Sequence, residues 1–198
     1  TIDPLQWQHV ADQLSKKARP VIHEEVIDLE NSGEGEDLFW QKCKDAANAL
    51  THGLEPALGV LVSQDAQALA DTTRKLVPQA KQLNMKLELF GEDACTRWHQ
   101  DHYVCRSIIS YNCSATQYTA GSNVNFHWLN RGAQNDDVIR DKSRIRAANV
   151  GDIMFMKGTT YPGKARALVH KSPEIKCCNG QVQTRLVLKV DVKDLACD

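Results

Sequence analysis

The spacing of apolar residues changes near residue 85, and this change limits what the chain can fold into. Before it, apolar side chains recur at helical spacing, most clearly over residues 38–50. From Lys86 onward, short alternating or β-branched segments are separated by polar turns, as in antiparallel strands. We therefore predict one domain for all 198 residues, with a helical N-terminal layer (1–85) packed on a β core (86–198).

Three helices are expected in the N-terminal layer. Asp3 and Pro4 are a plausible cap and first helical residue for a helix over residues 5–18. The other two are predicted over 38–50, ending near Gly53, and from Ser63 to about Pro78. Between the first two helices, His23–Glu25 is interpreted as a solvated loop.

Five strands are predicted in the β core, and they suit an antiparallel barrel. A long polar segment over residues 121–149 separates two of them and is interpreted as an insertion or lid. The predicted strands cover residues 86–90, 104–111, 153–156, 166–170 and 185–191.

Composition excludes several classes of protein. The net charge of −1 gives no electrostatic argument for binding nucleic acid or an anionic membrane. No apolar run approaches the roughly 20 residues of a transmembrane helix, and the first residues lack the pattern of a signal peptide. The seven cysteines are odd in number and include no Cys-x-x-Cys pair, which favours reduced thiols in the cytoplasm. We expect a cytoplasmic protein that acts on a small-molecule or unknown substrate; its oligomeric state is open.

His99, Asp101 and His170 are the strongest candidates for a metal site. On a strand, residues two apart point to the same face, so His99 and Asp101 can converge on one ion. Such a pair is common by chance, but His170 adds a second imidazole on a late alternating strand. A rolled barrel can combine the three into a facial triad, which leaves coordination positions open for substrate and dioxygen.

A zinc cluster is the alternative at the same place. Cys95, His99 and His102 could share a zinc ion, with His170 or another residue as fourth ligand. Cys95 alone is more often a small buried hydrophobic residue than a ligand.

The order of motifs in the β core resembles two known families. It is similar to the uncharacterised family called domain of unknown function 1826 over about residues 86–191, and to the Fe(II)/2-oxoglutarate oxygenases, particularly their prolyl hydroxylase branch. The segments that carry the resemblance are Arg97–Asp101, Arg106–Tyr111, Ala115–Tyr118, Val150–Gly158, Tyr161–Gly163, Val169–Pro173 and Arg185–Asp191.

The oxygenase resemblance implies a fold and a set of site residues. The fold is mainly β, a double-stranded β-helix of the jelly-roll or cupin-like type. His99, Asp101 and His170 become catalytic Fe(II) ligands. Arg185 becomes the clamp for the far carboxylate of 2-oxoglutarate, because a guanidinium binds a carboxylate bidentately. Tyr111 is expected to donate its hydroxyl to that same carboxylate.

Two positions in this resemblance are open. Arg106 either faces the pocket or braces Asp101, and Lys189 is a rival to Arg185 because it lies on the same face of the strand. The sequence departs from the oxygenase pattern in having Ala115 where a glycine is expected. It also places Arg185 unusually far after His170, which an intervening hairpin over Glu174–Thr184 would accommodate.

The expected function is therefore an Fe(II)/2-oxoglutarate-dependent dioxygenase that hydroxylates an unknown substrate. The alternative is a non-catalytic protein of zinc or iron homeostasis on the same barrel. A cupin-like isomerase or hydrolase that uses the metal as a Lewis acid is a third class.

Overall fold

Antiparallel β-sheets form the centre of the molecule, and two long helices cover one side. The computed structural model describes residues 7, 11, 22–29, 36–91, 94–112, 115–174, 177–178, 181–182 and 184–195. The strands are β1 (Ile22–Asp28), β2 (Gln82–Phe90), β3 (Cys105–Ser110), β4 (Gln117–Thr119), β5 (Arg146–Ala147), β6 (Ile153–Lys157), β7 (Val169–Lys171), β8 (Cys177–Cys178), β9 (Gln181–Val182) and β10 (Arg185–Val192).

The helices largely follow the predicted periodicity. Helix α1 (Glu36–Leu50) confirms the prediction over 38–50, and Gly53 follows it with a positive φ of 85°. Helix α2 (Pro56–Leu76) begins seven residues earlier than predicted, with Pro56 in its first turn. The predicted helix over 5–18 lies outside the described residues except for Trp7 and Ala11, which are helical and buried.

Five strands form the larger sheet, in the order β1-β2-β10-β3-β6, with every neighbouring pair antiparallel. Alternate residues of its strands point to opposite faces. One face packs against α1 and α2 and contributes to the main apolar core. We call the opposite face the inner face; it includes Arg106, Ile108 and Ser110 of β3 and Arg185 and Val187 of β10, which lie on alternate positions.

The smaller sheet lies against this inner face, in the order β5-β4-β7. Arg185 of the larger sheet donates to Thr116, which precedes β4, and Leu168, which precedes β7, packs against Ile108 and Val187. The proposed hairpin is present as the antiparallel pair β8–β9, although its Asn179-Gly180 turn lies outside the described residues. The functional candidates therefore lie between two antiparallel sheets.

Several predicted boundaries are wrong. His23–Glu25 is not a solvated loop but part of β1, an edge strand paired with β2, so the N-terminal layer is not entirely helical. Strand β2 begins at Gln82 rather than Lys86, and the strand predicted over 166–170 covers only Val169–Lys171.

The predicted lid over residues 121–149 contains regular structure. It includes the helices α3 (Phe126–Leu129) and α4 (Asn135–Val138), two short 3₁₀ turns (Gly121–Asn123 and Lys142–Arg144) and β5. Trp98, Val124, Val138, Ile139 and Val169 form a second, small apolar core beneath it. This core attaches the segment to the smaller sheet. Among the described helices, none combines the length and apolarity that a membrane span requires.

Candidate metal centre

Backbone pairing brings His99 and His170 side by side. His99 and His170 form an antiparallel bridge, and each amide donates to the carbonyl of the other residue at 3.0 Å. Directly opposed residues of an antiparallel pair project to the same face. Asp101, two residues beyond His99, joins them, so residues from two distant parts of the sequence meet at one point.

The ligand atoms of the three side chains converge. His99 Nε2 lies 3.6 Å from Asp101 Oδ1, and His170 Nε2 lies 3.4 Å from Asp101 Oδ2. Within the part of the chain that the structure describes, these three form the group that could hold a metal ion, with all ligand atoms within 4.8 Å of one another. Three ligands at about 2.1 Å from an ion and at right angles lie about 3 Å apart, so the side chains fit an ion after small rotations.

Both imidazoles are oriented through their other nitrogen. His99 Nδ1 lies 2.8 Å from the carbonyl of Arg97, and His170 Nδ1 lies 3.2 Å from the carbonyl of Leu168. These contacts favour the tautomer with hydrogen on Nδ1, because a carbonyl only accepts. With a metal ion bound, each Nε2 would offer its lone pair to the ion, as metal-bound histidines commonly do. Without a metal, a protonated Nε2 donates to Asp101 instead.

Arg106 braces the carboxylate ligand, which decides between its two predicted roles. Its Nη1 donates to Asp101 Oδ2 at 2.8 Å, while Nε and Nη2 donate to the two oxygens of buried Asp191 at 2.6 and 2.9 Å. The bidentate bond to Asp191 fixes the guanidinium plane. Of the two roles predicted for Arg106, these contacts fit the one in which it braces Asp101.

Charge compensation keeps Asp101 ionised. Burial alone raises the pKa of a carboxyl group, but hydrogen bonds from His170 and His99 and the charge of Arg106 hold the pKa of Asp101 well below its usual range. For His99, burial lowers the pKa, but the hydrogen bonds to Asp101 and to the Arg97 carbonyl outweigh it, so the net shift is upward. The triad thus presents an anionic oxygen ligand at neutral pH.

Arg185 lies on the inner face, surrounded by hydroxyl groups. It is only 4% exposed. Its Nη2 donates to Ser110 Oγ at 2.6 Å and to Thr116 Oγ1 at 2.9 Å, and its Nη1 donates to Ser172 Oγ at 3.5 Å. Ser172 comes two residues after His170, so Arg185 contacts a residue whose backbone lies about 7 Å along the extended chain from that of a candidate metal ligand.

Tyr111 is not placed for its predicted role. It follows Ser110, so it projects to the helix-side face of the larger sheet, where its hydroxyl donates to Asp65 Oδ2 at 2.8 Å and its ring stacks on Trp7. Ser110 projects to the inner face and holds Arg185 instead. The expectation that Tyr111 shares a carboxylate with Arg185 is therefore corrected.

Lys189 is on the inner face, as predicted, but it is engaged elsewhere. Its Nζ forms a close ion pair with Glu88 of β2 and lies over the ring of Phe90. Burial and the charge of Arg106 lower the pKa of Lys189 despite Glu88. Lys189 is therefore already paired with a carboxylate of the same sheet.

The residues of the zinc alternative do not join the triad. Exposed Cys95 Sγ lies 3.6 Å from His99 Nδ1, the nitrogen that faces away from Asp101. His102 Nδ1 lies 2.9 Å from Thr159 Oγ1 instead. The geometry therefore favours His99, Asp101 and His170 as one group.

Comparison with known proteins identifies the family. The family described as "Protein of unknown function (DUF1826)" matches residues 5–191. The chain belongs to this family. The resemblance predicted from the β core is thus confirmed and extends over the N-terminal layer. No curated protein matches this DUF1826 chain.

Three solved structures are similar to this DUF1826 protein at low identity. The Fe(II)/α-ketoglutarate-dependent dioxygenase TqaL is 11% identical with a TM-score of 0.44, covering 98% of this chain and 90% of TqaL. The C-terminally truncated Neurospora crassa protein NcT7HdeltaC, in apo form, is 11% identical with a TM-score of 0.37, covering 98% and 79%. Its full-length form, in complex with α-KG, is 10% identical with a TM-score of 0.37, covering 97% and 73%. Likeness at these TM-scores is too distant to support an argument about this DUF1826 chain.

Three residues that sequence reasoning gave no role belong to the DUF1826 site. Tyr118 of β4 lies directly opposite His170 in the register, and therefore shares its face. Ser110 holds Arg185, and Asp191 holds Arg106. Alternation from Arg185 places Asp191 on the inner face, and alternation from Thr116 places Tyr118 there. That periodicity is the signal that could have found them.

Proposed function

We propose that this chain is an Fe(II)/2-oxoglutarate-dependent oxygenase. The proposal rests on one observation: a candidate metal site and a candidate anion site lie side by side on the inner face. A triad of two imidazoles and a carboxylate lies beside a buried, hydroxyl-lined arginine, joined through His170 and Ser172. A facial triad leaves open coordination positions, and the arginine is placed to bind the far end of a dicarboxylate chelated there.

The proposed fold is a double-stranded β-helix of the jelly-roll type. Two antiparallel sheets face each other, and the ligands come from β7 and from the segment that bridges to it. Barrels of this type place interior side chains on alternate positions of every strand. Such an arrangement explains why four polar residues on alternate positions of β3 and β10 all face the inner side: Arg106, Ser110, Arg185 and Asp191.

The proposed ligand roles follow from the donor chemistry. His99, Asp101 and His170 would hold Fe(II), because imidazole and carboxylate ligands in a facial arrangement suit non-haem iron. When bound, iron with 2-oxoglutarate and dioxygen supplies the oxidising chemistry for hydroxylation, together with release of succinate and carbon dioxide. Arg106 keeps Asp101 oriented and ionised. Ser110 and Thr116 orient Arg185 toward the cosubstrate.

The proposed pocket also limits water access. Ile108, Met156 and Val187 form a small apolar cluster on the inner face, and Leu168 and Met154 pack against it. Apolar walls strengthen the interaction of Arg185 with a carboxylate, because they lower the local dielectric constant. The residues of this chain thus bind, orient and partly dehydrate the cosubstrate.

The decisive experiment measures 2-oxoglutarate binding and turnover separately. Under anaerobic conditions, 2-oxoglutarate should give the Fe(II)-loaded protein a new visible charge-transfer absorption, and oxygen should then release succinate. His99→Ala should abolish metal binding and this absorption. Arg185→Ala should leave metal binding intact. It should weaken the binding free energy of 2-oxoglutarate by about 1.5–3 kcal/mol, the strength of hydrogen bonds to charged groups.

Matched controls come from nearby residues. His102→Ala changes a neighbouring imidazole outside the triad and should keep both properties. Lys189→Ala tests the rival cation. If wild-type protein loads Fe(II) but never binds 2-oxoglutarate, the oxygenase proposal is wrong and the alternative, a non-catalytic zinc- or iron-binding protein, replaces it.

A further inference from the structure

A cavity of about 390 Å³ lies next to the candidate metal centre, and two arginines line it. Its lining includes Tyr118, Ser143, Arg144, Arg146 and Leu168. None of these residues is a proposed ligand of iron or 2-oxoglutarate. The cavity shares Tyr118 and Leu168 with the surroundings of the metal centre, whereas Ser143, Arg144 and Arg146 belong to the cavity alone.

The strand register links this cavity to the metal centre. In the smaller sheet, His170 lies opposite Tyr118, and Tyr118 lies opposite Arg146. Opposed residues share a face, so the three form a row across β7, β4 and β5. With neighbouring strands about 4.8 Å apart, the Arg146 backbone lies roughly 10 Å from that of the metal ligand. A molecule that contacts Arg146 can thus extend past Tyr118 toward the metal.

The two guanidinium groups are available to a ligand. Arg146 is exposed, and its guanidinium has no hydrogen-bond or ion-pair partner among the described residues. Arg144 is exposed, and within the described part of the chain its guanidinium donates from Nη2 to Ser122 Oγ at 3.1 Å. The Arg144 backbone is held by a hydrogen bond that Thr119 Oγ1 donates to its carbonyl.

The pKa of Asp141 is lowered, first by hydrogen bonds from Ser143 and then by the charge of Arg144, so this carboxylate partly compensates Arg144. Asp141 accepts from the amide and hydroxyl of Ser143, at 2.9 and 2.6 Å, and does not line the cavity. The lining combines two cations with the hydroxyl group of Tyr118 and with Ser143, whose hydroxyl already donates to Asp141. Planar guanidinium groups and hydroxyls are the donors that bind carboxylate and phosphate.

We propose that this cavity binds an oxyanion group of the substrate, a phosphate or a carboxylate, and so orients the substrate toward the metal centre. The inference rests on the proposed function for its direction toward the iron, but anion binding itself needs neither iron nor 2-oxoglutarate. Arg146 is the central residue because it lies in the same row as His170.

The test uses metal-free wild-type protein, with inorganic phosphate and acetate as probes. The midpoint of thermal unfolding is followed against anion concentration, relative to sodium chloride at equal ionic strength. An anion that binds the folded state raises this midpoint in a saturable way. Arg146→Gln should weaken binding about tenfold, as expected for the loss of a charge-assisted hydrogen bond.

Two control variants make the outcome decisive. Arg140→Gln removes an equal charge from an exposed position outside the cavity, and it should keep the wild-type response. Arg185→Ala removes any anion binding at the proposed cosubstrate pocket, and the part of the response that Arg146→Gln abolishes should persist in it. A stronger response to phosphate indicates a phosphate ester, and a stronger response to acetate indicates a carboxylate.

Three results would overturn the proposal. They are the absence of any saturable response to either anion, an equal loss in Arg140→Gln, and a loss in Arg185→Ala but not in Arg146→Gln. Failure of the oxygenase proposal would appear instead in the iron and 2-oxoglutarate experiments, so the two can be told apart.

Discussion

The two faces of the larger sheet are built from alternate residues of the same strands, yet they differ sharply in charge. On the helix side, Leu186, Leu188 and Val190 of β10 are at most 1% exposed and lie in the main apolar core. On the inner face, Arg185, Lys189 and Asp191 are also buried, but each is charged. One strand thus contributes to the core with one set of residues and to the site with the other.

Two aspartates show what this difference does to titration. Burial raises the pKa of Asp65, which accepts the Tyr111 hydrogen bond on the helix side, and that bond only partly offsets the effect. Burial also acts on Asp101, but the two histidines and Arg106 reverse it and lower its pKa. The helix side disfavours charge, whereas the inner face compensates it with ion pairs, so we expect metal binding to depend on the inner face alone.

The largest expected effect on stability comes from the helix side of β10. Leu188→Ala removes a fully buried side chain and should lower the free energy of unfolding by about 2–5 kcal/mol, through lost burial and the cavity left behind. Urea denaturation measures this change. Fe(II) affinity of the folded variant should stay within about twofold, because Leu188 projects away from the triad. Leu188→Met conserves volume and should cost less than about 1.5 kcal/mol. A large loss of metal affinity in Leu188→Ala would contradict the expectation that metal binding depends on the inner face alone.

On the inner face, a change at Asp191 should lower both stability and metal affinity. Asp191→Asn replaces one oxygen of the bidentate bond to Arg106 and should cost about 2–3 kcal/mol of stability, as for a hydrogen bond between charged groups. It should also weaken metal binding about 10–100-fold, because Arg106 no longer holds Asp101 in place. Anaerobic Fe(II) titration and urea denaturation give the two values. An unchanged metal affinity would show that Arg106 has no positioning role.

The three triad residues could be predicted because each short segment that carries them shows its strand-like pattern in the sequence. His99 and Asp101 are two residues apart on an extended segment, and His170 lies in an alternating strand. The two-residue periodicity of strands was therefore enough to predict the face on which each side chain lies. Arg185 was found through the motif resemblance. Their assembly needs only that the two segments pair, which the structure shows at the bridge between His99 and His170.

The predictions that were wrong concern residues whose role depends on a contact with a distant part of the sequence. Tyr111 and Ser110 are neighbours, so only one of them can face Arg185. The resemblance alone does not determine which of the two does so. Lys189 shares the face of Arg185, but Glu88 of another strand neutralises it. The acidic residues Glu24 and Glu25 made β1 look like a loop, although charged edge strands are a common protection against aggregation.

A smaller effect is expected where the helices meet the sheet. Thr73 of α2 and Ser107 of β3 share a hydrogen bond of 2.5 Å, and both residues are fully buried. Thr73→Val leaves the Ser107 hydroxyl without this partner and should cost about 1 kcal/mol or somewhat more. Adding Ser107→Ala should recover part of the loss in a double-mutant cycle. If the double variant is as unstable as the sum of the two single variants, the hydrogen bond does not account for the effect.

The smallest effect, and the most direct test of the comparison, is the pH dependence of Asp65. Its pKa is raised above the ordinary 3.8 in the folded protein, so the folded state holds the proton more tightly than the unfolded chain. This contribution to stability is fully present below pH 3.8 and is lost as the pH rises through the raised pKa. At neutral pH the ionised carboxylate is therefore unfavourable on the helix side. Asp65→Asn keeps an acceptor for Tyr111 without the charge, so its stability relative to wild type should increase with pH and then level off. Unfolding free energies measured across acidic and neutral pH test this, with Asp45→Asn, an exposed change on α1, as control. A relative stability that instead decreases as the pH rises would mean that the helix side stabilises the charged carboxylate, as the inner face does at Asp101.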